Sequence, residues 1–233
     1  MKHLRQTIRH LILENCNNVN IKITSAIREL EEKDFLINVL RADSDAIHVQ
    51  LERDAWPKPF EAGFIKLAKV IYQDDTPDAD IAWRKKNNPG FINCNNSYIV
   101  HHSKILTIYQ DRLKGLGIGA LLYDVALELA GEKGISPDRY SISDDSFQMY
   151  DYFYNNPDKY EKKYLDTYTE TEPTEDDCPG ESPYDYPMHG YKAGFKFFGS
   201  PLGYTYIKKD QNQPTIKCLD SMKLIFGNWR FKA

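Results

Sequence analysis

The chain has 233 residues, 41% of them hydrophobic and 27% charged, a composition that supports a self-sustaining core and excludes wholesale disorder. Its formal net charge of −4 offers no global attraction to phosphate backbones or anionic membranes, which argues against nucleic-acid and membrane-surface partners. No run of about 18 apolar residues occurs, and the polar opening Met1-Lys2-His3-Leu4-Arg5 lacks the apolar stretch of a secretory signal, so a cytoplasmic protein is expected.

Leu4, Ile8, Leu11 and Ile12 recur at helical spacing. Ile23, Ile27 and Leu30 repeat the pattern after a break at residues 15–20, whose asparagines suit turns and caps. These patterns predict a helical extension over residues 1–44. Cys16, Cys94, Cys178 and Cys218 stand far apart with no C-x-x-C pair, which points to free thiols, with neither a zinc site nor a redox dithiol. Residues 46–51 alternate like a strand, and Gly63 to Tyr72 is a longer β-rich run. Trp83-Arg84-Lys85-Lys86, beside Asn87-Asn88-Pro89-Gly90, reads as a solvated loop.

Asn96 to Tyr109 is rich in β-branched and aromatic residues and holds no glycine or proline, so at least part of it is read as a strand. From Gly119 onward Leu121, Leu122, Val125, Ala126 and Leu129 share a helical face, and Gly131 with Gly134 supplies a stop. Tyr140-Ser141-Ile142-Ser143 reads as a short strand, after which Ser143 or Asp144 can cap a helix running to Asn155 before Pro157. Residues 166–187 are acidic, proline-containing and aperiodic, and read as a long loop. Residues 195–198 and 203–207 look like late strands, and Leu219 to Ile225 makes a short last element.

Between the strand at 96–109 and the helix after Gly119 lies Lys114-Gly115-Leu116-Gly117-Ile118-Gly119-Ala120. Alternate glycines at a helix N-terminus leave backbone N–H groups unobstructed and aimed at an anion such as a pyrophosphate. Lys114 or Arg112 can add a full positive charge. A P-loop would need G-K-[ST] after its last glycine, and a dinucleotide fingerprint would need G-x-G-x-x-G; Ala120 and Leu122 exclude them in turn. The bland alternative is a glycine-rich helix start that serves folding alone.

This loop resembles motif A of the GNAT N-acetyltransferases, written [RQ]-x-x-G-x-[GA]. Lys114, Gly117 and Gly119 fit one register, and Arg112, Gly115 and Gly117 fit another. Ser143 to Tyr150 reproduces the spacing of the family's N-x-x-A-x-x-x-Y landmark, with serines at 143 and 146 in place of Asn and Ala. Residues 136–139 and 150–153, the acidic 173–178 and Gly199-Ser200-Pro201-Leu202 further resemble tailed-phage GNAT-like proteins, and the opening Leu4 to Arg9 is similar to the starts of some phage proteins. The resemblance spans roughly residues 45–210.

It implies an α/β (α+β) fold with a mixed, largely antiparallel central sheet flanked by helices. Residues 1–44 would be the extension, 45–210 an acyl-CoA-binding domain with the acidic loop at 166–187 inserted, and 211–233 a C-terminal segment. It implies that acetyl-CoA sits at Ile108, Arg112, Lys114, Gly115, Leu116, Gly117, Ile118, Gly119 and Ala120, with the acetyl group passing to an unidentified amine and no metal involved.

Transfer needs a neutral amine, a polarised carbonyl and a proton for the departing thiolate. Backbone groups near residues 105–108 would face the oxyanion, and Tyr150 would protonate the thiolate. No glutamate occurs between Asn96 and Asp111 to act as base; His101 and His102, or ordered water, remain. Cys178 and His189 lie in the proline-rich loop, with no helix end to activate the thiol. The acidic loop either selects a basic amine or is simply solvated. The alternative function is a phage structural or interaction protein on the same scaffold, present in an infected bacterial cytoplasm, in the virion or as a self-association.

Overall fold

Helix α1 (Ile21–Glu32) begins at Asn20, whose Oδ1 accepts the Lys22 amide at 3.0 Å while Thr24 Oγ1 donates to the Asn20 carbonyl at 3.2 Å. Ile23, Ala26, Ile27 and Leu30 fill its buried side, at the expected spacing. The computed structural model describes residue 16 and residues 19–42, 46–53, 60–69, 98–105, 113–137, 142–164 and 201–229. The expected helix at 4–13, basic cluster at 83–86, acidic loop at 166–187 and strand at 195–198 lie outside them, as do Ile108, Arg112, Cys94, Cys178 and His189. Among the described residues, helices and strands make a mixed architecture divided into two compact units.

The first unit takes Met1–Leu67, His102–Gly131 and Asp210–Ala233. Its strands β1 (Phe35–Ala42), β2 (Ala46–Arg53), β3 (Phe60–Lys69) and, numbered in chain order, β8 (Ile225–Gly227) lie in the order β3-β2-β1-β8. β1 and β2 are antiparallel from Phe35↔Arg53 to Ala42↔Ile47, with a bulge between Val39 and Arg41. β8 joins β1 in parallel, from Ile37↔Ile225 to Val39↔Gly227. The expected all-helical extension over 1–44 therefore ends in a strand. Phe35, Ile37 and Val39 point into the core, a period-2 pattern that pairing with β2 holds extended.

Helix α2 (Ile118–Ala130) packs with α1, β2 and α4 (Pro214–Ser221). Every residue from Leu121 to Ala130 is buried, so the single apolar face read from sequence is instead a helix enclosed all round. Asp124 and Glu128 share this burial because they cap α4. Glu128 Oε1 accepts the Thr215 amide at 3.0 Å and Oε2 the Ile216 amide at 2.8 Å, Asp124 Oδ2 accepts the Thr215 hydroxyl, and Gln213 Nε2 donates to the Glu128 carbonyl at 3.1 Å. The residue at α4's own N-cap, Gln213, makes no side-chain cap. Cys218 on α4 is disulfide-bonded to Cys16, across a sequence separation of 202. This corrects the expectation of free thiols for these two cysteines: no local spacing announces a pair that only the fold brings together.

The second unit takes Ala68–His101 and Glu132–Lys209. It includes the start of β4 (Tyr98–Ile105), with β5 (Ile135–Ser136), β6 (Tyr160–Tyr164) and β7 (Tyr204–Lys208) in the order β6-β7-β5-β4. β5 pairs in parallel with β4 (Tyr98↔Ile135, Ile99↔Ser136) and antiparallel with β7 (Ile135↔Tyr206); β6 and β7 are antiparallel. The strand expected at 140–143 is displaced: Ile142 and Ser143 are not in a strand, and β5 sits earlier, where β4 and β7 offer partners. Helix α3 (Asp144–Tyr154) is capped by Ser143, whose Oγ accepts the Ser146 amide at 3.2 Å, and ends at Asn155, as expected. Where the first unit's core is aliphatic, this one is aromatic, with Phe153 centred 4.7 Å from Tyr160 and 5.5 Å from Tyr206.

Candidate functional site

The glycine loop sits between buried anchors, Leu113 and Ile118, which pin its two ends into the first unit's core. Between them the backbone must turn through left-handed conformations: Gly115 has φ 76° and Gly117 φ 76°, ψ 10°, a region that L side chains enter only with strain. The Leu116 amide donates to Leu113 O at 3.3 Å, and the Leu121 amide donates to Gly117 O at 2.9 Å as α2 begins.

Gly119 differs from the other two. Its φ is not positive, and a Cβ built on it, as on Gly115, would meet nothing within 4 Å. Neither backbone conformation nor packing requires glycine there, and glycine costs helix stability relative to alanine. A residue that folding does not demand leaves room for something else to approach. The start of α2 is open in a second respect, having no side-chain cap and no acidic residue in its first turn. The helix's own first turn therefore supplies no carboxylate to the positive end of its dipole. Lys114 and Gly115 are exposed and Leu116 and Ala120 half-buried along the same stretch, while Gly117 rests on α1, its built Cβ falling 3.5 Å from Ala26 Cβ and 3.6 Å from the Lys22 carbonyl.

Of the expected binding residues, Lys114 to Ala120 are one continuous stretch in which Lys114, Gly115 and Gly119 are exposed and Ile118 is buried, whereas Ile108 and Arg112 lie outside the described residues. His101 and His102 belong to β4, but their side chains are not among those described. Further along β4, Ser103 Oγ lies 3.3 Å from the Tyr123 hydroxyl of α2, a hydrogen bond between the strand and the helix that flank the loop.

Tyr150, the expected proton donor, belongs to the second unit and is 1% exposed. Its hydroxyl donates to the Ser136 carbonyl at 3.3 Å, and its ring lies 6.0 Å from Phe153 and 5.9 Å from Tyr206. Among the described residues no cluster of three or more His, Cys, Asp or Glu side chains could hold a metal, and no helix is long and apolar enough to cross a membrane.

His48 on β2 was not singled out by its sequence context, yet its Nε2 is buried without a hydrogen-bond partner and its ring meets Phe64 edge-on at 6.3 Å. Burial, then the nearby Lys66 ammonium, lower its pKa against a partial opposing pull from Glu61. The fold therefore favours neutral His48. The unfolded chain takes up the proton near pH 6.5, so this contribution to stability is fully present above that pH and declines as pH falls toward the lower folded value. Urea denaturation at pH 7.5 and 5.5 should show wild type losing more stability than His48→Gln over that interval; parallel losses would remove His48 from the account.

Comparisons of the chain with family models, with curated proteins and with solved structures return no match.

Proposed function

We propose that this chain binds acetyl-CoA through residues 114–120 and is a GNAT-type N-acetyltransferase acting on an amine. The observation that carries the reading is Gly119: a glycine that neither conformation nor packing demands, in a helix whose first turn holds no acidic residue. The connection also supports it. β4 and β5 are parallel neighbours joined through the loop and α2, and ligands of α/β sheets gather beyond the carboxyl ends of such strands. The order of strands, glycine loop, α2, β5, α3 and closing strands agrees with the order that the motif-A resemblance implies.

In this reading the loop amides and Lys114 hold the CoA pyrophosphate, the neutral amine nitrogen attacks the thioester carbonyl and gives up its proton to water, and the tetrahedral intermediate collapses by breaking the C–S bond. Tyr150 supplies the thiolate's proton, for which its hydroxyl must exchange the Ser136 carbonyl for sulfur. That existing hydrogen bond, in an aromatic core, weighs against turnover; the second reading is a phage structural or interaction protein on the same scaffold, with CoA binding weak or lost.

Calorimetric titration with acetyl-CoA tests the site, and the absence of binding heat would refute the enzyme reading. Tyr150→Phe then separates them. The enzyme should lose about 100-fold in kcat across its amine substrates, while a scaffold should lose only about 1 kcal/mol of stability with the buried hydrogen bond.

A further inference from the structure

Three helices of the first unit close a ring. Gly117 at the start of α2 rests on α1, Glu128 near the end of α2 caps α4, and Cys218 of α4 is bonded to Cys16 ahead of α1. The Val19 amide donates to the Cys16 carbonyl at 2.9 Å, so the bonded cysteine and the Asn20 cap share one short turn. Two of the three links form by packing and hydrogen bonding. The third is covalent, and chemistry can make or break it while the others stand.

We propose that the Cys16–Cys218 disulfide is a redox clasp that sets how firmly α1 backs the glycine loop. With the bond closed, the lead-in to α1 is tethered to α4, which Glu128 ties to α2, so α1 is held at both ends of the helix it supports. With the bond open, contact at Gly117 and the surrounding core must hold α1 alone. Both sulfurs are shielded, Cys16 being 2% and Cys218 0% exposed, so a reductant reaches them only when the structure around the bond opens. Opening and reduction are then coupled, and by linkage anything that holds the loop against α1 slows reduction.

The exchange balances with an external dithiol. One thiolate attacks a sulfur and breaks the S–S bond, and the second releases the mixed disulfide, leaving two protein thiols and one oxidised reductant. A thiol-rich compartment thus keeps the clasp open and an oxidising one keeps it closed.

After incubation with oxidised glutathione, a non-reducing peptide map of the full chain should contain the Cys16–Cys218 cross-linked peptide, and its absence under those conditions overturns the proposal. Hydrogen exchange is then followed before and after dithiothreitol, and in Cys218→Ser. Protection of α1, and of the Leu121 amide bonded to Gly117 O, should fall about tenfold or more, while α3, β6 and β7 keep theirs. Unchanged α1 protection after reduction overturns the clasp, and equal loss in both units overturns it too, because the bond would then be a global staple.

The exchange experiment needs no ligand, so it succeeds or fails apart from the acetyl-CoA reading. Where calorimetry does show acetyl-CoA binding, the compound should slow reduction by dithiothreitol severalfold. Bound acetyl-CoA that leaves the reduction rate unchanged counts against the clasp.

Discussion

Glu128→Ala should destabilise the protein by about 4 kcal/mol and lower Tm by roughly 10 °C. The carboxylate accepts two backbone amides at the start of α4, at 3.0 and 2.8 Å, in a buried position where water cannot replace it. Hydrogen bonds to a charged acceptor contribute about 1.5–3 kcal/mol each, and the truncation also strands both amides and opens a cavity. Glu128→Gln is the sharper probe: one oxygen still accepts, while the new amide group turns a donor toward a donor, and a loss of about 2–3 kcal/mol is expected. Thermal and urea melts of both variants check this. A Glu128→Ala protein within 1 kcal/mol of wild type would mean that α4 is held by its apolar side alone.

On the proposed acetyl-CoA reading, Gly119→Asp should weaken acetyl-CoA binding by at least about 100-fold, roughly 2.8 kcal/mol, while the protein becomes no less stable. The two effects run in opposite directions for physical reasons. A side chain at 119 enters open space, and a carboxylate in the first turn of α2 complements the positive helix end, worth about 0.3–1 kcal/mol to the fold. The same charge stands where the pyrophosphate would lie and repels it. Gly117→Asp cannot make this separation, because φ 76° at that position strains any side chain. Calorimetry and a thermal melt of Gly119→Asp, with Gly119→Ala as the neutral control, read out both halves. An aspartate variant that binds within threefold of wild type would remove the loop as the ligand site, and one that melts much lower would make Gly119 a folding residue after all.

What could be read from the sequence follows from how local each signal is. The helix after the glycine loop, the Asn20 and Ser143 caps and the alternation of Ile47, Val49 and Leu51 are all written within one or two turns of chain, and each stands where it was expected. β1 was hidden because Leu36 and Leu40 put apolar residues on the face opposite Phe35, Ile37 and Val39, blurring the period of two. β6 reads Tyr-Glu-Lys-Lys-Tyr, and its charged middle gave no strand pattern; it lies at the end of the second unit's strand order, where such residues are tolerated. β5 is only two residues long, so its position is decided by Tyr98 and Tyr206 rather than by its own side chains.

The candidate site divides in the same way. Glycines 115, 117 and 119 were legible as a group, yet only the backbone angles separate the two that folding requires from the one it does not. Asp124 and Glu128 look like solvated helix positions until α4, nearly 90 residues onward, takes them as its cap. Tyr150 was found through spacing, which says nothing of the Ser136 carbonyl that its hydroxyl meets.

The parallel pairing of β8 with β1 bears on how the chain emerges from the ribosome. Ile37 is synthesised early, and its partner Ile225 follows almost at the far end of the chain. At about 5–20 residues per second, that side of β1 waits on the order of ten to forty seconds for its proper neighbour. Throughout that interval it is an open row of amides and carbonyls, able to accept a strand from a neighbouring nascent chain. The three residues of β8 therefore serve as the late closure of an edge that translation leaves exposed.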